Sequence, residues 1–164
     1  KILSGTEVDI LKDGKLDISN KVLKQLDVVG ASVHSNFNLS KAEQTNRIIK
    51  AIENENVDIL FHPTGRLLQQ REPYEVDIEK IIDTAKDTAT ILEVNGSDRL
   101  DLKDEYIKLA VKAGVKLVID SDAHNMNQFH FLEFGIAQAR RGWAEAKDII
   151  NTRTLKEFLK MLKR

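Results

Sequence analysis

The chain has 164 residues, 41% of them hydrophobic and 31% charged, with a formal net charge of −1; this suits one domain with a real core and excludes a dedicated, strongly basic nucleic-acid scaffold, though not a local basic patch. It contains no cysteine, which excludes disulfides and thiolate metal sites and fits a reducing, cytoplasmic setting. No run of about 18 apolar residues occurs, so no membrane span is expected, and no signal peptide is visible.

In chain order, strands and helices alternate. Residues 6–11 (TEVDIL) alternate polar and apolar and read as a strand; residues 27–33 (DVVGASV) form the short, β-branched apolar run of a buried strand. A helix follows. Ser40 and Glu43 make a capping-box pair, and Ala42, Thr45, Ile49 and Ile52 share one face. Residues 57–61 (VDILF) are the third strand, and a second helix from about Asp77 to Lys86 turns Ile78, Ile81, Ile82 and Ala85 inward. After a fourth strand at 90–94 (TILEV), a helix from about Lys103 to Ala113 buries Tyr106, Ile107, Ala110 and Val111 and stops at Gly114. Residues 116–119 (KLVI) are the fifth strand. A helix then runs from near Gln128 to near Ala139, and the last starts at Thr154, capped by Glu157, with Leu155, Phe158, Leu159 and Leu162 buried. Such alternation implies parallel βα units. About five strands are too few for a closed eight-stranded barrel, but enough for most of a smaller or truncated one.

The chemistry gathers where the strands stop. His34 follows the second strand and His62 the third; Glu93 and Asn95 close the fourth; Asp120, Asp122 and His124 follow the fifth; Glu7 alternates with Val8 and Ile10 in the first. In parallel α/β folds these ends share one face, and active sites lie there. One histidine beside a strand is usually a packed, hydrogen-bonded residue. Three of the chain's four histidines in the same topological position, with carboxylates, point instead to a site. His130, between Phe129 and Phe131, reads as a packed helical residue. Without thiols, imidazole and carboxylate suit Zn²⁺, Mn²⁺ or Fe²⁺. Arg66, Arg140 and Arg141 are candidates for clamping a phosphate, set against an equally ordinary role in surface ion pairs. Arg99 is expected to be an ion pair or loop anchor, and Trp143 a packing residue. The basic residues of RTLKEFLKMLKR read as a solvated helix face complementing the helix dipole.

The segments GTEVDIL, DVVGASVHSNF, VDILFHPTGRLL, LEVN, RLDL, SDAH, ARRGW and NTRTLKEFL occur in this order and span essentially the whole chain. Together they resemble the PHP (polymerase and histidinol phosphatase) domain, in the form found at the C-terminus of bacterial and archaeal DNA polymerase X. The resemblance implies an α/β fold: a distorted (β/α)7 TIM-like barrel, here without its first βα units. Residues 1–164 would then be the C-terminal part of the PHP domain. Its opening H-x-H motif, the Asp after it and a further His have no counterpart here, and neither has the polymerase domain. The resemblance also implies up to three ions, Mn²⁺ or Zn²⁺, at the C-terminal mouth. By motif, Glu7 matches the bridging carboxylate, His34 and His62 the other ligands of the second metal, and Asp122 and His124 ligands of the first and third. SDAH replaces the more usual TDAH.

The implied activity is that of a metal-dependent phosphoesterase, a 3′→5′ exonuclease or 3′-end-processing module in DNA repair. Its implied partners are DNA 3′ ends and a polymerase domain in cis. The alternatives are a small-molecule phosphatase of the histidinol-phosphatase kind and a non-catalytic scaffold for the polymerase. A truncated parallel sheet exposes an edge, which leads to an expectation of self-association.

Overall fold

The computed structural model describes residues 1–163, so Arg164 of the terminal basic segment lies outside the described residues. A five-stranded sheet runs β1 (Gly5–Asp9), β2 (Val28–Ser32), β3 (Ile59–Leu60), β4 (Ile91–Asn95), β5 (Leu117–Asp120), with every neighbouring pair parallel. Parallel neighbours need crossovers. The helices α1 (Asn20–Leu23), α2 (Lys41–Ile52), α3 (Ile78–Asp87) and α4 (Asp104–Ala113) supply them, and α5 (Leu132–Arg141) and α6 (Leu155–Met161) follow β5. The expected alternation is therefore present and compatible with a TIM-like fold. Among the described residues the sheet is open, with β1 and β5 at its edges. The β5 edge is not left bare. Leu117 N–H donates to Asp148 O at 2.9 Å, and the Asn151 side chain accepts from Ile119 N–H at 3.2 Å and donates to Ile119 O at 2.6 Å.

Period-2 alternation sorts the strand side chains. One face, carrying Val8, Val29, Ala31, Leu60, Leu92, Val94, Leu117 and Ile119, forms the main core with α2, α3 and α4. The other carries Ile59, Ile91 and Val118, which pack with Ile150, Leu162 and Phe158 near α6. The register aligns Glu7 with Gly30, Gly30 with Ile59, Ile59 with Ile91, and Glu93 with Val118. This second face therefore presents carboxylates along its upper part and an apolar cluster below. Gly30 is required there: a Cβ on it would lie 1.9 Å from the Phe61 ring.

Several expectations shift. On α2 the buried positions are Gln44, Thr45, Arg47, Ile48, Ala51 and Ile52, so the inward stripe passes through Ile48 and Ala51, and Ala42 is exposed. The α2 capping box forms as expected, and so does that of α6. The one-turn α1, with only Leu23 buried, has too short a pattern to announce itself. The helix expected from Gln128 is a 3₁₀ turn, Met126–Phe131, with no buried residue, and α5 begins only at Leu132. His130 is accordingly exposed rather than packed in a helix. On α6 Leu155 is exposed and only Leu162, just past the helix, is buried. Trp143 is 75% exposed, against the packing role expected of it. Gly142 takes the inward place, with no room for a Cβ against Ile107, and the left-handed backbone at Trp143 (φ 63°) turns the indole outward.

Candidate metal centre

Glu7 lies in the middle of β1, and His34 and His62 each follow the last residue of β2 and β3 by two positions. Glu7 is on the carboxylate-bearing face of β1, and Asp9, two residues on, shares that face. His34 has the same parity as Gly30 and Ser32, so it rises from β2 on the same side. His62 needs a different device. Phe61 already points to this face, and regular pleating would send His62 to the other. The ladder stops at Leu60, and His62 takes a left-handed backbone (φ 28°) that returns its ring to the cluster. His62 Nε2 lies 2.8 Å from Glu7 Oε1, and His34 Nε2 lies 3.4 Å from the same oxygen. Their ring centroids are 5.2 Å apart. One potential ligand atom from each of Glu7, His34 and His62 lies within 4.8 Å of the other two.

The charges reinforce one another. Partial burial pushes the Glu7 carboxyl up, but hydrogen bonds from His34 and His62 and the His62 charge outweigh it and hold the carboxyl well below its ordinary range. The hydrogen bond to Glu7, opposed by partial burial and helped by Asp9, lifts His34 to about 9. His34 Nδ1 lies 2.6 Å from Asp9 Oδ1, so a second carboxylate fixes that ring. His62 is 2% exposed, and its Nδ1 is buried with no hydrogen-bond partner. Two imidazoles converging on one carboxylate, without thiols, fit a divalent cation of the Zn²⁺ or Mn²⁺ kind.

Beside the cluster lies a cavity of about 350 Å³ lined by Glu7, Phe61, His62, Glu93, Asp120, Asp122 and Phe129, among others. Glu93 is buried, accepts a short hydrogen bond from His62 N–H, and hydrogen-bonds Asp120. Burial raises Glu93 well above the carboxylate range, and the Asp120 charge adds to the shift. Burial also raises Asp120, while its hydrogen bond to Glu93 opposes that. The turn after His62 is held from its far side: Thr64 donates through N–H and Oγ1 to Asp101, both at 2.9 Å, and Asp101 is fully buried.

Over its whole length the chain is 45% identical to the DNA polymerase/3′-5′ exonuclease PolX of Bacillus subtilis (strain 168), and it spans 29% of that protein. It is 34% identical, again over its whole length, to a probable phosphatase of Thermoanaerobacter sp. (strain X514), of which it covers 70%. A probable phosphatase of Clostridium acetobutylicum is 32% identical over 75% of the chain and 52% of the relative. The chain belongs to the PHP family. No family model matches it.

Of the residues singled out in the sequence, this PHP domain brings Glu7, His34 and His62 together. Asp122 lines the adjoining cavity, where Asn95 Nδ2 at 3.2 Å and Arg99 Nε at 3.3 Å hold its carboxylate. That pairing is the ion-pair role expected of Arg99. His124 stands outside the cluster. Its side chain is 79% exposed, and Nδ1 lies 2.8 Å from the backbone oxygen of Asp122. Arg66 donates from Nε to Arg99 O at 2.9 Å and from Nη2 to Leu100 O, anchoring the loop after β4. Arg141 pairs with Asp104 at 3.0 Å, and Arg140 is exposed at the end of α5. Glu93 stands among the strand-end carboxylates expected from sequence, whereas Asp9 and Asp101 are not among the candidates named there. Asp9 shares face parity with Glu7, which is the signal the sequence carries for it. Asp101 lies in the irregular loop before α4 and had none.

Proposed function

We propose that this PHP domain is a metal-dependent phosphoesterase that trims DNA from the 3′ end. The observation that carries the reading is the Glu7–His34–His62 cluster, drawn from within β1 and from just beyond β2 and β3, three adjacent parallel strands. The relative named as a 3′-5′ exonuclease, identical at 45% of aligned positions, supports the choice of DNA over a small phosphomonoester. The relatives named as probable phosphatases carry no substrate in their names.

In this reading Glu7, His34 and His62 hold one divalent cation, Mn²⁺ or Zn²⁺, and Asp122 and His124 serve further ions. A cation so held supplies Lewis-acid chemistry, acidifying water for attack on phosphorus and neutralising charge on the phosphoryl oxygens. The rest falls to the chain's own residues. Asp9 orients the His34 ring, and the backbone turn at His62 aims its imidazole at Glu7. Phe61 walls the cavity against bulk water. Arg140 and Arg141, at the exposed end of α5, meet the phosphodiester backbone away from the scissile bond, and Arg66 keeps the neighbouring loop in place. A polymerase domain in cis and a cytoplasmic setting belong to the same reading; no described helix is long and apolar enough to cross a membrane.

The test is hydrolysis of a 3′-hydroxyl DNA oligonucleotide and of a free phosphomonoester by the chain loaded with Mn²⁺ or Zn²⁺, with His62→Ala as control. Release of mononucleotides from the 3′ end, lost in the variant, supports the proposal. Cleavage of the phosphomonoester alone would replace it with the phosphatase reading. No hydrolysis of either substrate would favour the scaffold reading.

A further inference from the structure

The buried carboxyl of Glu93 sits between the two halves of the site. It comes from the middle of β4, 3% exposed, with its side chain on the same face as the carboxylates and imidazoles. β3 and β4 pair only at Ile59↔Ile91 and Leu60↔Leu92. One step further along, the ladder is broken: the backbone N–H of His62 leaves the register and donates to the Glu93 carboxyl. A buried N–H at the end of a strand needs an acceptor, and leaving it without one is costly. Here a side chain provides the acceptor, at the residue whose left-handed backbone (φ 28°) re-aims the imidazole. Such a conformation is unfavourable for a non-glycine residue and persists only where its surroundings hold it. The other end of the same turn is held independently, by Thr64 on Asp101 and by Gly65 N–H on His62 O at 2.9 Å. Glu93 is therefore the acceptor that holds the N–H side of His62.

We propose that Glu93 is a positioning residue for the metal centre: by accepting the His62 N–H it fixes the backbone turn that brings His62 Nε2 to Glu7, without itself being a ligand. The proposal rests on the metal-site reading given above. Its contact with Asp120 extends the same hold to β5, so that one carboxyl ties the His62 turn to the strand leading into Asp122. Outer-shell partners that orient ligands typically change metal affinity by about 10- to 100-fold when removed.

The substitutions separate the possibilities. Glu93→Leu keeps the volume and removes the acceptor, with Glu93→Ala as the substitute should leucine not fit. Glu93→Gln keeps an acceptor oxygen for His62 N–H and offers an N–H to Asp120. Ile81→Val, in the core of α3, is a remote control for lost stability. Zn²⁺ and Mn²⁺ affinities are measured by calorimetric titration of the purified chain, and the His62 amide resonance is followed in the metal-free protein. The expected result is an affinity loss of about 10- to 100-fold for Glu93→Leu, near-wild-type affinity for Glu93→Gln and Ile81→Val, and a displaced His62 amide resonance in Glu93→Leu only. Wild-type affinity in Glu93→Leu overturns the proposal, and so does an affinity in Glu93→Gln as poor as in Glu93→Leu, because the carboxylate would then be a ligand. If the wild-type chain binds neither ion, the metal-site reading fails. The amide resonance still decides whether Glu93 holds His62, and an unmoved resonance in Glu93→Leu overturns that too.

Discussion

Two stretches of this chain carry imidazole and carboxylate at the same end of the sheet, and they are built differently. On β1 and just beyond β2 and β3 the donors of Glu7, His34 and His62 already converge, His62 is buried, and Asp9 and Glu93 brace the two histidines. After β5, Asp122 has a left-handed backbone (φ 46°) and shares its carboxylate between Asn95 and Arg99, while His124 stands in solvent ahead of a 3₁₀ turn with no buried residue. The difference is one of support. The two histidines follow adjacent paired strands by only two residues, and hydrogen bonds to Asp9 and Glu93 then fix the His34 ring and the His62 backbone. Side chains on a loop have only local contacts to place them.

The largest expected effect tests that contrast directly. Glu7→Gln, His34→Ala and His62→Ala each remove a converging donor, so each should weaken Zn²⁺ or Mn²⁺ binding by more than the roughly 100-fold seen at most for outer-shell partners. His124→Ala removes an exposed ring that does not join the cluster and should leave the affinity for the ion held by Glu7, His34 and His62 nearly unchanged. Elemental analysis and titration calorimetry on the same preparations check both halves. A His124→Ala variant as weak as His62→Ala would show that the two stretches act as one site.

The contrast extends to stability. Asp101→Ala strands the buried N–H and hydroxyl of Thr64 on the rigid side and should cost about 2 to 3 kcal/mol. Phe129→Ser, on the loop side, alters a residue that is 66% exposed and should stay within about 0.5 kcal/mol. Urea unfolding at fixed pH compares them, and equal losses would mean that the loop is packed as tightly as the strand ends.

Legibility in the sequence follows the same division. The strands could be read because the first alternates polar and apolar and the other four are short apolar runs, and the three converging residues could be read because they lie on or just after parallel strands, whose C-terminal ends share a face. Helix faces were less secure. On α2 the choice between Ile48 and Ile49 depends on where the sheet lies, and burial of Gln44 and Arg47 masks the apolar stripe. Trp143 was misjudged because the turn that expels it is set by Gly142 packing on Ile107, a contact between residues far apart in the chain. The aim of His62 was hidden for a similar reason: alternation alone puts it on the wrong side, and the left-handed turn that corrects it is held by Glu93 from another strand.

The smallest expected effect lies at the opposite end of the sheet from the site, and it sharpens the comparison by marking a place where burial works against a charge. Lys163, just past α6, donates from its backbone N–H to Asp58 at 2.9 Å and from Nζ to Ile52 O at 2.8 Å. Burial of the ammonium, partly offset by the Asp58 charge, lowers Lys163 from 10.5 to about 8. Between those two values the unfolded chain holds a proton that the folded chain has released, so the Lys163 contribution favours folding increasingly as pH rises from about 8 to about 10.5. Below that window the charged ammonium carries its full burial penalty, and above it neither state is charged. The side chain is partly open to solvent, so screening keeps the effect small. Lys163→Met removes the titration. The stability of wild type relative to this variant should therefore rise across that window in paired urea unfolding curves, and a constant difference would place the ammonium in solvent.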